Sequence, residues 1–528
     1  MTQSRRYPEE SSRFGCPSLT PGYACSTSRF GAEPAGRWSV PNCVTTLERG
    51  NDLLGLFSAS RSRHVGVGSY LLLLLSIWTL AFPTAQASKL EDRVSEYRLD
   101  NGLKLVVVED HRAPVAIAQV WYRVGSSYES GGITGVSHVL EHMLFLGTEK
   151  LPPNEYSRII AALGGAENAF TGTDYTAYYA EIAVEHLDRV LALEADRMRN
   201  ARMDANEFKR ELEVVKEERR LRTEDNAKAL TYEAFQAAAW NAGPYRQPVI
   251  GWMSDLDSLT IEDVRTWYRY WYAPDNAVVV VVGDVRPEAV HRLVETHFGA
   301  LEPEAPPAVK PRGEPQQRGE KRIVVRAPAK LPYLLMGYKV PGRASLAEGR
   351  EPWEPYALKV LAEILDGGES SRFSQRLVRG DEIAIQAGAG YSAFTRLDTL
   401  FTLVGVPAQG HDVAGLEAAF RREIRRLQDE PVRAEELQRV KTRVVAADVF
   451  ARDSIRAQAN EVGTLEAIGL GWRELDAYLP GVRAVTAEQV QAVARKYLVP
   501  DRLTVAVLDP QPLDTAKPRS RGFSTGRH

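Results

Sequence analysis

An internal repeat constrains the fold of this 528-residue chain more than any other feature of its sequence. Thr260 begins a capped-helix pattern, Pro274 follows fourteen residues later, and an apolar run covers residues 277–282. The same order recurs 226 residues downstream, with Thr486, Pro500 and an apolar run over 503–508. Each copy predicts a capped helix, a proline stop and a buried strand. Two copies at this distance predict two similar domains rather than a single large one.

The segment between the two copies predicts where these domains meet. Residues 301–320 are rich in proline and charge and poor in apolar side chains, which is typical of a linker. We therefore expect one domain over residues 88–300, a second over 321–512, and a disordered tail over 513–528. The chain from residue 88 onwards is long enough for two substantial cores.

The N-terminal region has a different character. Residues 1–60 show little pattern and are interpreted as an extension or an over-extended start. Residues 61–87 combine basic residues, a short apolar run and Ala85-Gln86-Ala87, which predicts a signal peptide and export to a bacterial periplasm. The alternative is a membrane anchor through residues 69–82, although this run is shorter than the ~20 residues that a span needs.

Cysteine content and charge narrow the chemistry. All three cysteines precede residue 88, so the exported part has neither disulfides nor thiolate metal ligands. The leader carries a net charge of +3 within a whole-chain charge of −3, which leaves about −6 for the remainder. No basic stripe or nucleic-acid-binding motif occurs, so we expect extended peptides rather than nucleic acid as partners.

The sequence His138-Val139-Leu140-Glu141-His142 carries the most specific chemical prediction. Two histidines four residues apart on a helix share a face and can hold one metal ion, for which zinc is the usual choice. Glu141 then lies beside the metal as a candidate base. The alternative is an amphipathic helix with two half-exposed histidines. The apolar residues around the motif weaken that alternative, because buried polar groups need partners.

A zinc ion with two histidines and a water still lacks one protein ligand. The segment 211–220 predicts a helix on which Glu211, Val214, Val215 and Glu218 share an inward face. Glu218 is the candidate third ligand. Glu211 is predicted to hold a ligand histidine or the water, with a salt bridge to a lysine or arginine as the alternative.

These residues, with Glu218 seventy-six positions after His142, resemble the pitrilysin, or inverzincin (M16), family of zinc peptidases, across nearly all of 92–512. The resemblance implies an α+β fold in which two homologous α/β-roll domains, each an antiparallel-rich sheet with helices packed on one side, face each other as a clamshell. It also implies a zinc-dependent endopeptidase with one Zn²⁺ per chain, in which Glu141 is the general base on a zinc-bound water.

Residues 164–171, with Asp174, Thr176 and Tyr178, are similar to the family's strand beside the metal, on which the substrate pairs as an added strand. Asn168 and Ala169 are therefore candidates for contacts with the substrate backbone. A glycine-led turn into an ordinary strand is the alternative interpretation.

The second half has no HxxEH motif, and the glycine- and serine-rich run 367–371 is interpreted as structural. Many family members bind substrate with an arginine and a tyrosine from this half. Here Ile385 stands where the tyrosine is expected, Arg379 is out of register, and Tyr391 comes six residues too late. The departure favours a heterodimer whose homologous partner supplies both groups, with a homodimer possible. Two other functions stay open, a non-catalytic assembly subunit and a peptide-binding clamp.

Overall fold

The computed structural model describes residues 90–513, so the predictions for residues 1–60, for the leader 61–87 and for most of the tail lie outside the described part. Within that part, eleven strands form two sheets. The strands are β1 Val94–Arg98, β2 Lys104–Glu109, β3 Val115–Tyr122, β4 Ala166–Thr171, β5 Thr176–Ala183, β6 Ala277–Gly283, β7 Lys321–Pro328, β8 Tyr333–Val340, β9 Ala384–Gly390, β10 Thr399–Pro407 and β11 Leu503–Gln511.

The two sheets have the same topology. The first has the order β1-β2-β6-β3-β5-β4, and the second has the order β7-β11-β8-β10-β9. Without β1, the two orders match strand for strand. Each sheet contains one parallel pair, β2 with β6 and β11 with β7, and its other pairs are antiparallel. The expected pair of homologous, antiparallel-rich α+β halves is confirmed.

Fourteen α-helices accompany the sheets in residues 90–513. They are α1 Val136–Met143, α2 Glu155–Ala162, α3 Leu187–Asn200, α4 Ala205–Arg219, α5 Ala227–Ala239, α6 Met253–Ser258, α7 Ile261–Trp271, α8 Pro287–Phe298, α9 Glu354–Asp366, α10 Val413–Asp429, α11 Ala434–Ala451, α12 Ile455–Ala467, α13 Glu474–Ala484 and α14 Ala487–Tyr497. None of these helices is both long enough and apolar enough to cross a membrane.

The repeat motifs form the elements that their sequences predict. Thr260 and Thr486 each make a reciprocal capping box, at the starts of α7 and α14. Such caps satisfy two backbone donors at once, which explains why both helices begin at the threonine. Each helix leads into a buried strand, β6 or β11, which pairs in parallel with an earlier strand of its own sheet, β2 or β7. The internal repeat is therefore a repeat of structure.

Each half also sends one helix across to the other half. Helices α1, α3, α4, α7 and α8 pack on one face of the first sheet, while α12 from the second half covers the opposite face. In the same way, α5 from the first half packs on the second sheet through Phe235 and Ala239. Helices thus pack on both faces of each sheet, and the two halves share apolar cores.

Gly463 on α12 lies at a close contact between this helix and the first sheet. A Cβ atom at this position would stand 2.0 Å from the Trp121 ring, which is fully buried. We expect Gly463→Ala to lower the free energy of unfolding by about 1–3 kcal/mol, because overpacking forces side chains from their preferred rotamers. Thermal unfolding measures the effect. Gly313→Ala, whose Cβ would meet nothing within 4 Å, is the control and should leave the midpoint unchanged.

Candidate metal centre

A buried carboxylate fixes the start of the helix that carries the HxxEH motif. Helix α1 begins after Gly135, whose φ of 88° favours glycine. The Glu129 side chain accepts hydrogen bonds from the amides of Gly135 (2.7 Å) and Ser137 (2.9 Å). These bonds satisfy amides that the helix itself leaves without acceptors. Burial raises the pKa of Glu129 to about 7.

Helices α1 and α4 bring the three predicted ligands together. Glu218 Oε2 lies 3.3 Å from His142 Nε2 and 3.9 Å from His138 Nε2. One donor atom from each of the three residues falls within 4.8 Å of the other two, and no other such group occurs among the side chains of residues 90–513. Two imidazole nitrogens and one carboxylate oxygen form the donor set of a catalytic zinc site.

The surroundings of these ligands suit a metal ion. Burial lowers the pKa of His138 to about 3, so this imidazole is neutral, as a metal ligand must be. Burial opposes charge on His142 and Glu218, but their hydrogen bond and the contact of His142 with Glu211 outweigh it. The pKa of His142 rises to about 10, and that of Glu218 falls to about 2. A cation held by these groups would balance the carboxylate charge that the His142 proton balances in its absence. His138 Nδ1 is buried with no hydrogen-bond partner among the described residues.

Two further side chains orient the ligands. Glu211 Oε1 lies 2.9 Å from His142 Nδ1, which leaves Nε2 of the same ring directed towards Glu218. Arg222 forms an ion pair with Glu218 Oε1, so that Oε2 faces both histidines. Glu211 therefore contacts His142, and the role of both residues at a metal ion stays a prediction.

Glu141 stands beside the ligand group but outside it. Its Oε2 accepts a 2.6 Å hydrogen bond from Thr171 Oγ1 at the end of β4. Burial raises the pKa of Glu141 above its ordinary value. A partly buried carboxylate of this kind takes up a proton more readily than a fully exposed one, which suits a general base.

The segment of Asn168 and Ala169 forms the edge strand β4, which pairs with β5 in the described sheet. The Ala169 amide donates to the Asn168 side chain at 2.8 Å. A peptide added to this edge would have to displace that local bond. Their contact with substrate stays a prediction.

Some sequence-based expectations need correction or stay untested. Val214 was expected on an inward face, but its side chain is 45% exposed, and only Val215 of the two valines is buried. Ile385 is 57% exposed on β9, and Arg379 pairs with Glu369 at 3.0 Å. Tyr391 is buried and donates to the Pro341 carbonyl. Tyr391 is therefore not free to do the work of the substrate-binding tyrosine that the family has at the position of Ile385.

Glu211 yields a direct prediction for metal binding. We expect Glu211→Gln to weaken zinc binding by roughly 10–100-fold, because partners that orient a ligand histidine and raise its basicity typically contribute that much. Competition with a chromophoric chelator measures the affinity. Glu213→Gln on the same helix, whose side chain is mostly exposed, is the control and should bind zinc like the wild type. Equal affinity of all three proteins would assign Glu211 no role in holding His142.

The fold and this site together define a class, the two-domain metallopeptidases with an inverted zinc motif. Residues 104–251 match the family model described as insulinase (peptidase family M16), and residues 258–444 match the model described as the peptidase M16 inactive domain. The chain belongs to the M16 family of peptidases.

Relatives agree with this assignment. The chain is 33% identical to the zinc protease PqqE of Helicobacter pylori over 62% of its own length and 72% of that protein. It is 30% identical to a protein of Mycobacterium bovis named as an uncharacterized zinc protease, over 78% of this chain and 92% of the relative. Its structure is similar to that of a protease from Helicobacter pylori, with a TM-score of 0.74, 28% identity, and coverage of 79% of this chain and 100% of the other.

Proposed function

We propose that this chain is a zinc-dependent endopeptidase that hydrolyses peptides or unfolded segments. The observation that carries the proposal is the group of His138, His142 and Glu218 with Glu141 beside it. His138, His142 and Glu218 would hold one zinc ion per chain. Zinc in such a site supplies a Lewis acid that lowers the pKa of water and polarises a peptide carbonyl.

The residues around the ion divide the remaining work. Glu141 takes the proton of the attacking water and passes it to the leaving amine, and Thr171 holds its carboxylate in place. Glu211 and Arg222 keep the ligand atoms aimed at one point. Asn168 and Ala169 on β4 are proposed to pair with the substrate backbone, which would make recognition largely independent of side chains.

A partner subunit is part of this proposal. Residues 258–444, which include the larger part of the second half, match a model named as an inactive domain, and the arginine and tyrosine positions of this half depart from the family pattern. We propose that a homologous chain supplies these groups and that the pair works after export to the periplasm. The domain limits 88–300 and 321–512 and the linker between them belong to the same proposal.

Cleavage of a quenched fluorescent peptide tests the function. The exported part of the chain would be purified, loaded with zinc, and assayed alone and with a sister chain that lacks HxxEH. We expect zinc-dependent cleavage that the sister chain accelerates. Equal rates with and without the sister would remove the partner from the proposal. Zinc binding without cleavage in either mixture would favour the scaffold or the peptide-binding clamp.

A further inference from the structure

A polar cluster joins the second half of the molecule to two turns of the first half that adjoin the candidate site. It consists of Arg396, Asp174, Ser127 and Tyr245, and we refer to it as the clasp. Arg396 lies in the 391–398 segment between β9 and β10, while the other three residues belong to the first half. Arg396 Nε donates to Asp174 Oδ1 at 2.9 Å, and Arg396 Nη2 donates to Ser127 Oγ at 2.7 Å.

Further hydrogen bonds connect the members of the clasp to one another. Ser127 Oγ donates to Asp174 Oδ1 at 2.8 Å, and the Tyr245 hydroxyl donates to Asp174 Oδ2. The Leu397 amide donates to the same tyrosine hydroxyl at 3.1 Å. Asp174 is 5% exposed, and these hydrogen bonds offset the cost of burying its side chain. A buried, hydrogen-bonded ion pair fixes geometry more firmly than an exposed one.

Two segments connect the clasp to the residues of the candidate site. Asp174 lies in the turn between β4 and β5, three residues after Thr171, whose hydroxyl holds Glu141. Ser127 lies in the 3₁₀ turn Ser126–Tyr128, immediately before the segment in which Glu129 holds the start of α1. The two turns bind each other, since the Ser127 amide donates to the Thr173 carbonyl at 2.8 Å.

We propose that Arg396 is a positioning residue through which the second half sets the position of β4, whose Thr171 holds the base Glu141, relative to the helix α1 that carries this base. This inference rests on the proposed function and deepens it. Arg396 does not touch the reacting groups. It fixes the two turns from which β4 and α1 extend, and small displacements of catalytic groups are costly in rate. The second half would therefore contribute to catalysis even though it carries no metal motif.

The test compares Arg396→Gln and Arg396→Lys with a matched pair elsewhere. Lys104 on β2 also joins the halves through a buried ion pair, at 2.7 Å to Glu466 on α12, but it lies four strands from β4 in the first sheet. All variants would be made in the full exported chain and assayed with zinc and the sister chain. We expect Arg396→Gln to lower kcat on the order of 10–100-fold with KM nearly unchanged. Arg396→Lys should recover part of that loss, and Lys104→Gln should keep the wild-type kcat.

Hydrogen exchange of the metal-free proteins provides a readout that does not need activity. The Ser127 and Gly172 amides, which donate to Thr173 and Tyr175, should exchange several-fold faster in Arg396→Gln and at the wild-type rate in Lys104→Gln. Unchanged exchange, an unchanged kcat, or a loss of kcat in Lys104→Gln that matches its loss of stability would each overturn the inference. A rise in KM alone would place Arg396 at the substrate instead. An inactive wild type with the expected exchange pattern would contradict the proposed function while leaving the clasp supported.

Discussion

Glu141→Gln should retain zinc and lose peptide hydrolysis by about 10²–10⁴-fold, the range that general acid–base catalysis contributes. The amide is nearly isosteric with the carboxylate, and its oxygen can still accept the hydrogen bond from Thr171. It cannot take a proton from water. The geometry should therefore survive while the proton transfer is lost. Parallel measurements of bound zinc and of peptide cleavage separate these two effects.

Glu217→Gln is the matched control for that experiment. Glu217 lies beside the proposed ligand Glu218, but its side chain is mostly exposed and pairs with Arg220. Its substitution should change neither zinc content nor rate. If Glu141→Gln lost its metal, the residue would be a ligand or a structural group, and the role assigned to it here would be wrong.

Glu218→Gln should lose zinc, with an affinity reduced by more than the roughly 10–100-fold expected for residues that only orient a ligand. The substitution removes the negative charge that balances the cation and replaces a carboxylate ligand by a weakly binding amide. It also removes the ion pair with Arg222. Activity should fall with metal occupancy, and excess zinc should restore part of it.

Chelator competition and metal analysis measure this second effect, again with Glu217→Gln beside it. A Glu218→Gln protein that binds zinc as tightly as the wild type would show that the third ligand is another group. Reduced affinity together with an unchanged rate at saturating zinc would assign Glu218 to metal retention alone.

The sequence predicted the parts of this molecule that depend on local chemistry. The HxxEH motif, the helix of Glu211 and Glu218, and the capped helix starts of the two repeats each have a pattern that is visible within a short stretch of sequence. The topology of the two halves followed because two copies of one pattern predict two copies of one fold. The family resemblance then supplied the α+β architecture.

What the sequence did not predict depends on distant parts of the chain meeting. Glu129 precedes α1 by several residues and belongs to no motif. An acidic residue near a helix start is only a weak signal that its side chain caps the helix. The position of Arg222 depends on the π-helical turn Arg220–Glu224 after α4. Helices α5 and α12 cross between halves, and their apolar faces do not reveal which sheet they cover. The spacing that places Val214 on one face of its helix is the same whether that face packs against a core or lines an open site.

We infer that this chain carries a working hydrolytic zinc site. The most direct measurement is the rate of peptide cleavage as zinc is titrated into metal-free protein, for the wild type and Glu141→Gln, with the sister chain present. We expect the wild-type rate to rise until one zinc ion is bound per chain, and we expect Glu141→Gln to bind the same amount of zinc without cleavage. Tight binding of one zinc ion by a wild type that cleaves no peptide would contradict it.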